Sequence, residues 1–145
     1  MRASHGFTLI ELLVVIALIA IGTAAVSFSL RDSAETVLER DAERLAALFE
    51  SARARSRASG VPVKWHPQSL NNSGAPSAFV FEGLPPQTLS EQWLSPQIQV
   101  ASNALVVLGP DPIIGPQSVA LRVKDLQLWV STDGLRPFTV KRAAP

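Results

Sequence analysis

The feature that most constrains this chain is an apolar run at residues 7–30 that contains a single charged residue, Glu11. Roughly 20 apolar residues suffice to cross a bilayer as a helix, so the run predicts a transmembrane segment. A carboxylate inside such a helix costs about 3 kcal/mol on insertion scales. Glu11 is therefore a candidate functional residue, and it needs a partner.

Two simpler kinds of N-terminal segment fit this pattern less well. A cleavable secretory signal has an apolar region of roughly 7–15 residues followed by a small-residue cleavage site. Here the run is longer and carries an acid in its first turns. A plain signal anchor accounts for the length but not for Glu11, nor for the Gly-Phe-Thr that precedes it. The chain has no Cys, which rules out a lipid attached through that residue.

The short basic leader MRASHG and the following FTLIEL resemble the class III signal of type IV pilins and type II secretion pseudopilins. In that family a membrane peptidase cuts after the glycine and methylates the new N-terminus. The resemblance implies cleavage between Gly6 and Phe7, N-methylation of Phe7, and an assembly role for Glu11, whose carboxylate would meet the amine of Phe7. It also implies a single-pass protein of the bacterial inner membrane with a periplasmic C-terminal domain.

Residues 31–59 predict an amphipathic helix that continues the apolar run. Gly60 and Pro62 predict its end. The C-terminal part of its apolar stripe is expected to pack on the domain that follows. Its N-terminal part is expected to lie beyond the reach of that domain and to contact partner subunits. The residues of that part are Ala34, Val37 and Leu38.

Three arginines near the helix end allow a second interpretation. Arg53, Arg55 and Arg57 could form a basic nucleic-acid site, but Arg55 points nearly opposite the other two on a helix. A solvated helix end that complements the helix dipole is favoured. The chain is also close to neutral, with a net charge of +1, which argues against a broad electrostatic grip on nucleic acid.

From residue 61 onward, short apolar runs alternate with Pro, Gly, Asn and Ser, which predicts strands and turns. Strands are expected at residues 61–65, 78–81, 98–100, 105–108, 119–123, 126–130 and 137–140. Lys124-Asp125 suits a tight hairpin, and Asp133-Gly134 is a turn signal. The predicted fold class is α+β, a long N-terminal helix packed on a small antiparallel β-sheet domain. Its parts are a leader (1–6), a transmembrane helix (7–30), a periplasmic helix (31–59) and a β domain (60–145).

Three further segments resemble the H-type minor pseudopilins: residues 43–55, the turn at residues 60–63, and the stretch STDGLRPFTV at residues 131–140. This resemblance implies a minor pseudopilin that initiates or caps the periplasmic pseudopilus of a type II secretion system. The implied partners are the prepilin peptidase, other minor pseudopilins, the major pseudopilin and the inner membrane. The alternatives are a minor pilin of a type IV pilus or DNA-uptake system, and a signal-anchored binding module.

The sequence offers no catalytic set, so neither enzymatic activity nor a cofactor is predicted. His5 and His66 are the only histidines, and no metal-ligand cluster is present. Asp111 and Asp133 lack the dense acidic spacing of a calcium loop and are interpreted as turn residues. Trp65 and Trp129 are expected in the core, and Trp93 is expected to be the exposed tryptophan. Ile113 and Ile114 either pack under their loop, which is favoured, or form an exposed contact for a neighbour.

Overall fold

The computed structural model describes residues 9–68 and 78–144, with the side chains of residues 23–33 left out of the description. It contains one helix and six strands within these ranges. They are α1 (Leu9–Ser59), β1 (Lys64–Gln68), β2 (Ala78–Glu82), β3 (Val106–Val107), β4 (Gln117–Val123), β5 (Leu126–Thr132) and β6 (Thr139–Lys141). The chain divides into two compact units, Met1–Ser33 and Ala34–Pro145, called here the N-terminal and C-terminal units.

In the N-terminal unit, the described side chains at residues 9–22 are all exposed. Large apolar residues dominate this stretch, and Leu9 and Ile10 are 81% and 71% exposed. None of the helical sequence that the structure describes combines the length and apolar character needed for a membrane crossing. The boundaries of the leader and of the membrane span stay predictions.

The helix ends where Gly60 and Pro62 predict. Gly60 has φ of +71°, and its amide donates a 2.9 Å hydrogen bond to the carbonyl of Ser56. Glycine takes this left-handed conformation without steric cost, which is why it so often follows a helix. The buried hydroxyl of Ser56 donates to the carbonyl of Val61 at 2.6 Å and directs the chain into the first strand.

The C-terminal unit contains two antiparallel sheets with three strands each, in the orders β2-β1-β3 and β4-β5-β6. The predicted hairpin is confirmed: β4 pairs with β5 from Gln117↔Thr132 to Val123↔Leu126, and Lys124 takes φ of +53° in the turn. Side chains along β4 alternate between the two faces of the sheet, and Val119, Leu121 and Val123 point toward the core. The α+β fold class, a helix packed on small antiparallel sheets, is therefore confirmed.

The strand predicted at residues 105–108 is shortened to Val106–Val107, and the one predicted at residues 137–140 is shifted to Thr139–Lys141. Two other predicted strands differ for identifiable reasons. Residues 98–100 form only one bridge, in which Gln99 and Arg122 exchange two 2.9 Å backbone hydrogen bonds. Turns on both sides, closed by Ile98 N to Ser95 O and by Ala104 N to Ala101 O, leave no room for a longer ladder. The first strand begins at Lys64 instead of Val61, because Val61 and Pro62 still belong to the exposed turn after the helix.

Aromatic rings connect the helix to both sheets. Phe49, fully buried on α1, lies 5.3 Å from the ring of Trp65 and 4.9 Å from that of Phe138. Trp93 is only 8% exposed and lies 4.7 Å from Phe79, so the prediction of an exposed Trp93 is wrong. Its loop is folded back against β2, where Phe79 N donates to the carbonyl of Glu91 at 2.9 Å.

The other aromatic and loop predictions have mixed outcomes. Trp65 is fully buried, as predicted, whereas Trp129 is half-buried on the sheet face opposite Leu128 and Val130. Ile114 packs into the core at 7% exposure, but Ile113 is 67% exposed. The packing prediction is thus correct for Ile114 and wrong for Ile113.

Candidate functional site

Glu11 lies in the first turn of α1, surrounded along the helix by exposed apolar side chains. Leu12 and Leu13, the next residues, are 55% and 60% exposed. The predicted processing residues, Gly6 and Phe7, fall outside the described residues. Cleavage at Gly6, methylation of Phe7 and the assembly role of Glu11 therefore remain predictions.

The N-terminal part of the helix stripe is covered by its own chain. Ala34 is 6% exposed and Leu38 is 1% exposed, and both belong to the same hydrophobic core as the β strands. The expectation that these residues lie beyond the β domain is wrong. Val37 is half-buried, so a partner contact at Val37 remains a prediction.

The end of the chain returns to the same part of α1. Arg142, which follows β6, forms ion pairs with Glu35 at 2.9 Å and with Glu39 at 2.8 Å on α1. These contacts hold the last strand against the start of the C-terminal unit. The sequence predicts that this part of the helix lies beyond the reach of the β domain. It contains no signal that the end of the chain returns to this position.

Asp41 anchors a loop onto the helix. Its carboxylate is 1% exposed and accepts hydrogen bonds from the amides of Leu94 at 2.8 Å and Ser95 at 3.1 Å. Arg44, one turn along, donates to the carbonyl of Gln92 at 2.7 Å. Burial raises the pKa of Asp41, because desolvation outweighs the opposing effects of the two amides and of Arg44.

Sequence reasoning missed Asp41. An available signal was its position: it lies between the stripe residues Leu38 and Leu45, three and four positions away, and so on the buried face of the helix. A carboxylate at such a position is stable only with hydrogen-bond donors. The loop amides that supply them are more than 50 residues away in sequence, at Leu94 and Ser95.

Arg53 is a structural clamp at the other end of the helix. It is 2% exposed, and its Nη2 donates to the carbonyls of Gly134 at 2.8 Å and Pro112 at 3.2 Å. Its Nη1 donates to the carbonyl of Arg136 at 3.5 Å and lies 3.7 Å from Glu50 Oε1. The interpretation of this arginine as part of a solvated helix end is wrong, because the two loops fold over it.

The other two arginines differ from Arg53 and from each other. Arg57 donates to the carbonyl of Pro112 at 3.2 Å, although it is exposed. Arg55 is exposed on another face of α1 and is consistent with the predicted solvated end. Arg53 and Arg57 therefore bind loop carbonyls, whereas Arg55 faces solvent.

The turn held by Arg53 is the predicted Asp133-Gly134 turn. Asp133 Oδ1 accepts from the amides of Leu135 at 3.0 Å and Arg136 at 2.8 Å, and Oδ2 accepts from Arg136 Nε at 2.8 Å. These donors, first the Arg136 amide and then the Leu135 amide, lower the pKa of Asp133 to about 2. The turn interpretation is confirmed at this position.

Among the described residues, no group of three or more His, Cys, Asp or Glu side chains is arranged to hold a metal ion. The side chains of Asp41 and Arg53 bind backbone amides and carbonyls of loops, which is a role in folding.

Comparison with known families bears on the N-terminal segment. Residues 1–27 match the family described as the prokaryotic N-terminal methylation motif. The chain carries a prepilin-like N-terminus.

This motif supports a protein of the type IV pilin and pseudopilin class, a class of structural proteins. It implies processing by prepilin peptidase, assembly with other pilins, and anchoring in the inner membrane with a periplasmic domain. No curated protein and no solved structure matches the chain.

Proposed function

We propose that this protein is an H-type minor pseudopilin of a type II secretion system, which joins other pseudopilins to initiate or cap the periplasmic pseudopilus. The observation that carries the proposal is the methylation motif at residues 1–27. Support comes from the helix that continues from this motif to Ser59 and from the small antiparallel sheets that follow it.

In the proposed function, the exposed apolar side chains of residues 9–22 are the surface through which the helix contacts lipid and neighbouring subunits. Burial of a large apolar side chain contributes about 2 kcal/mol, so a row of exposed ones strongly favours a lipid or protein surface. Leu9, Ile10 and Ile21 are each more than 60% exposed. In the proposed role the bilayer covers them before assembly, and the helices of neighbouring subunits cover them afterwards.

In this proposal, Glu11 determines which subunits are stable in the assembly. An ionised carboxylate in this apolar surface is costly until it meets a positive group. Cleavage after Gly6 creates such a group at the amine of Phe7. A subunit whose Glu11 meets the amine of Phe7, in its own chain or in a neighbour, is stabilised in the assembly.

The secretion assignment, as opposed to a pilus, rests on the segments that resemble H-type minor pseudopilins. The helix end, the turn at residues 60–63 and the closing hairpin at residues 131–140 carry this likeness. Arg53 links the helix end to Gly134 in that hairpin, and Ser56 links it to Val61. The absence of Cys also fits a secretion pseudopilin better than a pilin with a C-terminal disulfide.

The test has two arms in a cell that contains the prepilin peptidase. Intact-mass measurement is expected to show a mature chain that begins with methylated Phe7, and Gly6→Val is expected to retain the leader. Co-purification is expected to recover the other pseudopilins with the wild type and with Glu43→Gln, an exposed helix residue outside the motif. Glu11→Leu is expected to be cleaved and inserted but to lose these partners.

Three results would contradict the proposal. Mature protein that still contains Arg2 excludes prepilin processing. Full recovery of partners with Glu11→Leu excludes the pairing role of the carboxylate. Recovery of pilus subunits in place of secretion subunits would favour the minor-pilin alternative.

A further inference from the structure

A polar cleft of about 180 Å³ opens beside the closing hairpin of the second sheet. Four of its lining residues belong to β5 and β6, and three belong to the turn between them. The strand residues are Ser131, Thr132, Thr139 and Lys141, and the turn residues are Asp133, Arg136 and Pro137. The hydroxyl of Thr132 is already bonded to the carbonyl of Arg136 and the amide of Gly134. The contacts described above use the turn only for folding, and they leave the other three strand residues of the cleft without a role.

The strand register places the polar groups of the cleft on one face. Ser131 lies directly opposite Thr139 in the ladder of β5 and β6. Residues directly opposite in an antiparallel pair project to the same side of a sheet, and residues two apart on a strand do so as well. Ser131, Thr139 and Lys141 therefore share the sheet face that is opposite to Val130 and Val140.

Ser131 carries an unused hydrogen-bonding group. The residue is 2% exposed, and within the described part of the chain its Oγ has no hydrogen-bond partner. Buried polar groups in folded proteins nearly always have such a partner. Because Ser131 lines the cleft, its unpartnered hydroxyl is available as a donor or acceptor for a group bound there.

The charge of the cleft is positive. Asp133 is neutralised by Arg136, whose Nε lies 2.8 Å from the Asp133 carboxylate. Lys141 is exposed, and its ammonium group has no ion pair among the described residues. One uncompensated ammonium beside two hydroxyls selects an anion that accepts several hydrogen bonds.

We propose that this cleft binds a carboxylate group, held by the ammonium of Lys141 and by the hydroxyls of Ser131 and Thr139. A water molecule occupies about 30 Å³ in the liquid, so the cleft has room for a carboxylate with some of its hydration. The carboxylate is carried by a small free acid or by an acidic side chain of another protein. The Arg136 guanidinium, already paired with Asp133, screens the incoming charge from the Asp133 carboxylate.

The test is an amide NMR titration of the full-length protein in non-ionic detergent at constant ionic strength. Sodium acetate is expected to shift the amides of Ser131, Thr139 and Lys141 in a saturable manner, and sodium chloride is not. Lys141→Gln is expected to weaken acetate binding by about tenfold or more, as loss of a charge-assisted hydrogen bond predicts. Lys64→Gln, which makes the same charge change on exposed β1 of the other sheet, is expected to leave it unchanged.

Ser131→Ala separates binding from folding. This variant removes an unpartnered buried hydroxyl, so the melting temperature is expected to stay the same or rise. Acetate affinity is expected to fall about fivefold, the effect of one neutral hydrogen bond. Equal acetate affinity in wild type, Lys141→Gln and Ser131→Ala would overturn the proposal.

Two further titrations identify the source of the carboxylate. N-acetylglutamic acid amide carries a protein-like side-chain carboxylate, and tighter binding than acetate assigns the cleft to a protein partner. Equal binding of the two assigns it to small free acids. Inorganic phosphate that binds more tightly than both would overturn the carboxylate assignment.

Discussion

The guanidinium of Arg53 donates a 2.8 Å hydrogen bond to the backbone carbonyl of Gly134, 81 residues later in the chain. The same Nη2 also contacts the carbonyl of Pro112 at 3.2 Å. One helix side chain thereby fixes two loops that have no hydrogen-bonded ladder with each other. The helix end, the loop before β4 and the turn before β6 consequently form one structural junction.

We expect Arg53→Met to lower the free energy of unfolding by about 2–4 kcal/mol, because it leaves the buried carbonyl of Gly134 without this donor and removes two further contacts to loop carbonyls. Arg53→Lys keeps the charge but lacks the planar fork that reaches several carbonyls, so an intermediate loss is expected. The measurement is urea unfolding of the full-length protein in detergent, followed by tryptophan fluorescence. Arg55→Met is the matched control, since Arg55 is exposed on the same helix. A loss of stability as large in Arg55→Met as in Arg53→Met would contradict the clamp.

The Gly134 position itself is expected to reject any side chain. Gly134 has φ of +91°, and a Cβ built there would lie 1.8 Å from the carbonyl oxygen of Ile114. Gly134→Ala therefore combines backbone strain with a clash against main chain, and a loss of about 3 kcal/mol or more is expected. Gly115→Ala, one residue from Ile114, meets nothing within 4 Å and is the control, with an expected change within about 0.5 kcal/mol. Thermal unfolding of the two variants is the measurement. Equal melting temperatures would contradict the predicted clash at residue 134.

Asp41→Ala is expected to destabilise the protein by about 1–3 kcal/mol at neutral pH, because the amides of Leu94 and Ser95 lose their acceptor. Urea unfolding measures this loss. Glu43→Ala is the control, since Glu43 is exposed two residues away on the helix. Similar losses in both variants would show that the loop anchor contributes nothing.

Asp41 also predicts a specific pH dependence. Burial raises its pKa above the ordinary value of 3.8, so the folded state binds this proton more tightly than the unfolded state. The stabilising contribution of this protonation is fully present below pH 3.8 and is lost as pH rises through the raised folded-state pKa. Wild type is therefore expected to gain stability relative to Asp41→Asn as the pH falls from neutral, in paired urea titrations. A constant difference between the two proteins across this range would contradict the raised pKa.

Asp133 is expected to show the opposite dependence. Its pKa is lowered from 3.8 to about 2, so its ionised form stabilises the folded state. This contribution is present above pH 3.8 and is lost as the pH falls toward 2. Carboxyl NMR is expected to place the titration of Asp133 near the lower value. An Asp133 titration at the ordinary aspartate value would contradict the turn geometry.

The corrected helix stripe gives a further prediction about folding and assembly. Leu38→Asp is expected to cost more than about 4 kcal/mol, because it places an unpaired charge in the core. Val37→Asp, at the adjacent half-buried position, is expected to cost far less while weakening co-purification with other pseudopilins. Melting experiments and co-purification of both variants test this. Normal assembly of a folded Val37→Asp variant would remove Val37 from the partner contacts.

Local signals in the sequence were sufficient for the helix end, the β4–β5 hairpin and the Asp133-Gly134 turn. Each depends on the conformational preference of a few adjacent residues, such as the left-handed backbone at Gly60 and Gly134. The methylation motif at residues 1–27 is likewise a local sequence pattern. The fold class followed from hydrophobic periodicity together with the turn residues and the resemblance to pilins.

Only the tertiary structure decided which polar side chains are buried and what they bind. Arg53 looks like a surface charge of a helix in the sequence, and Asp41 lies on the apolar face with no partner nearby in sequence, yet each is inside the protein where a distant loop contacts it. The same holds for Trp93, buried against Phe79, and for Ala34 and Leu38, which belong to the core that the β strands form. Such contacts depend on long-range chain reversals, and a residue's own neighbours in sequence carry no information about which distant backbone amides and carbonyls will reach it.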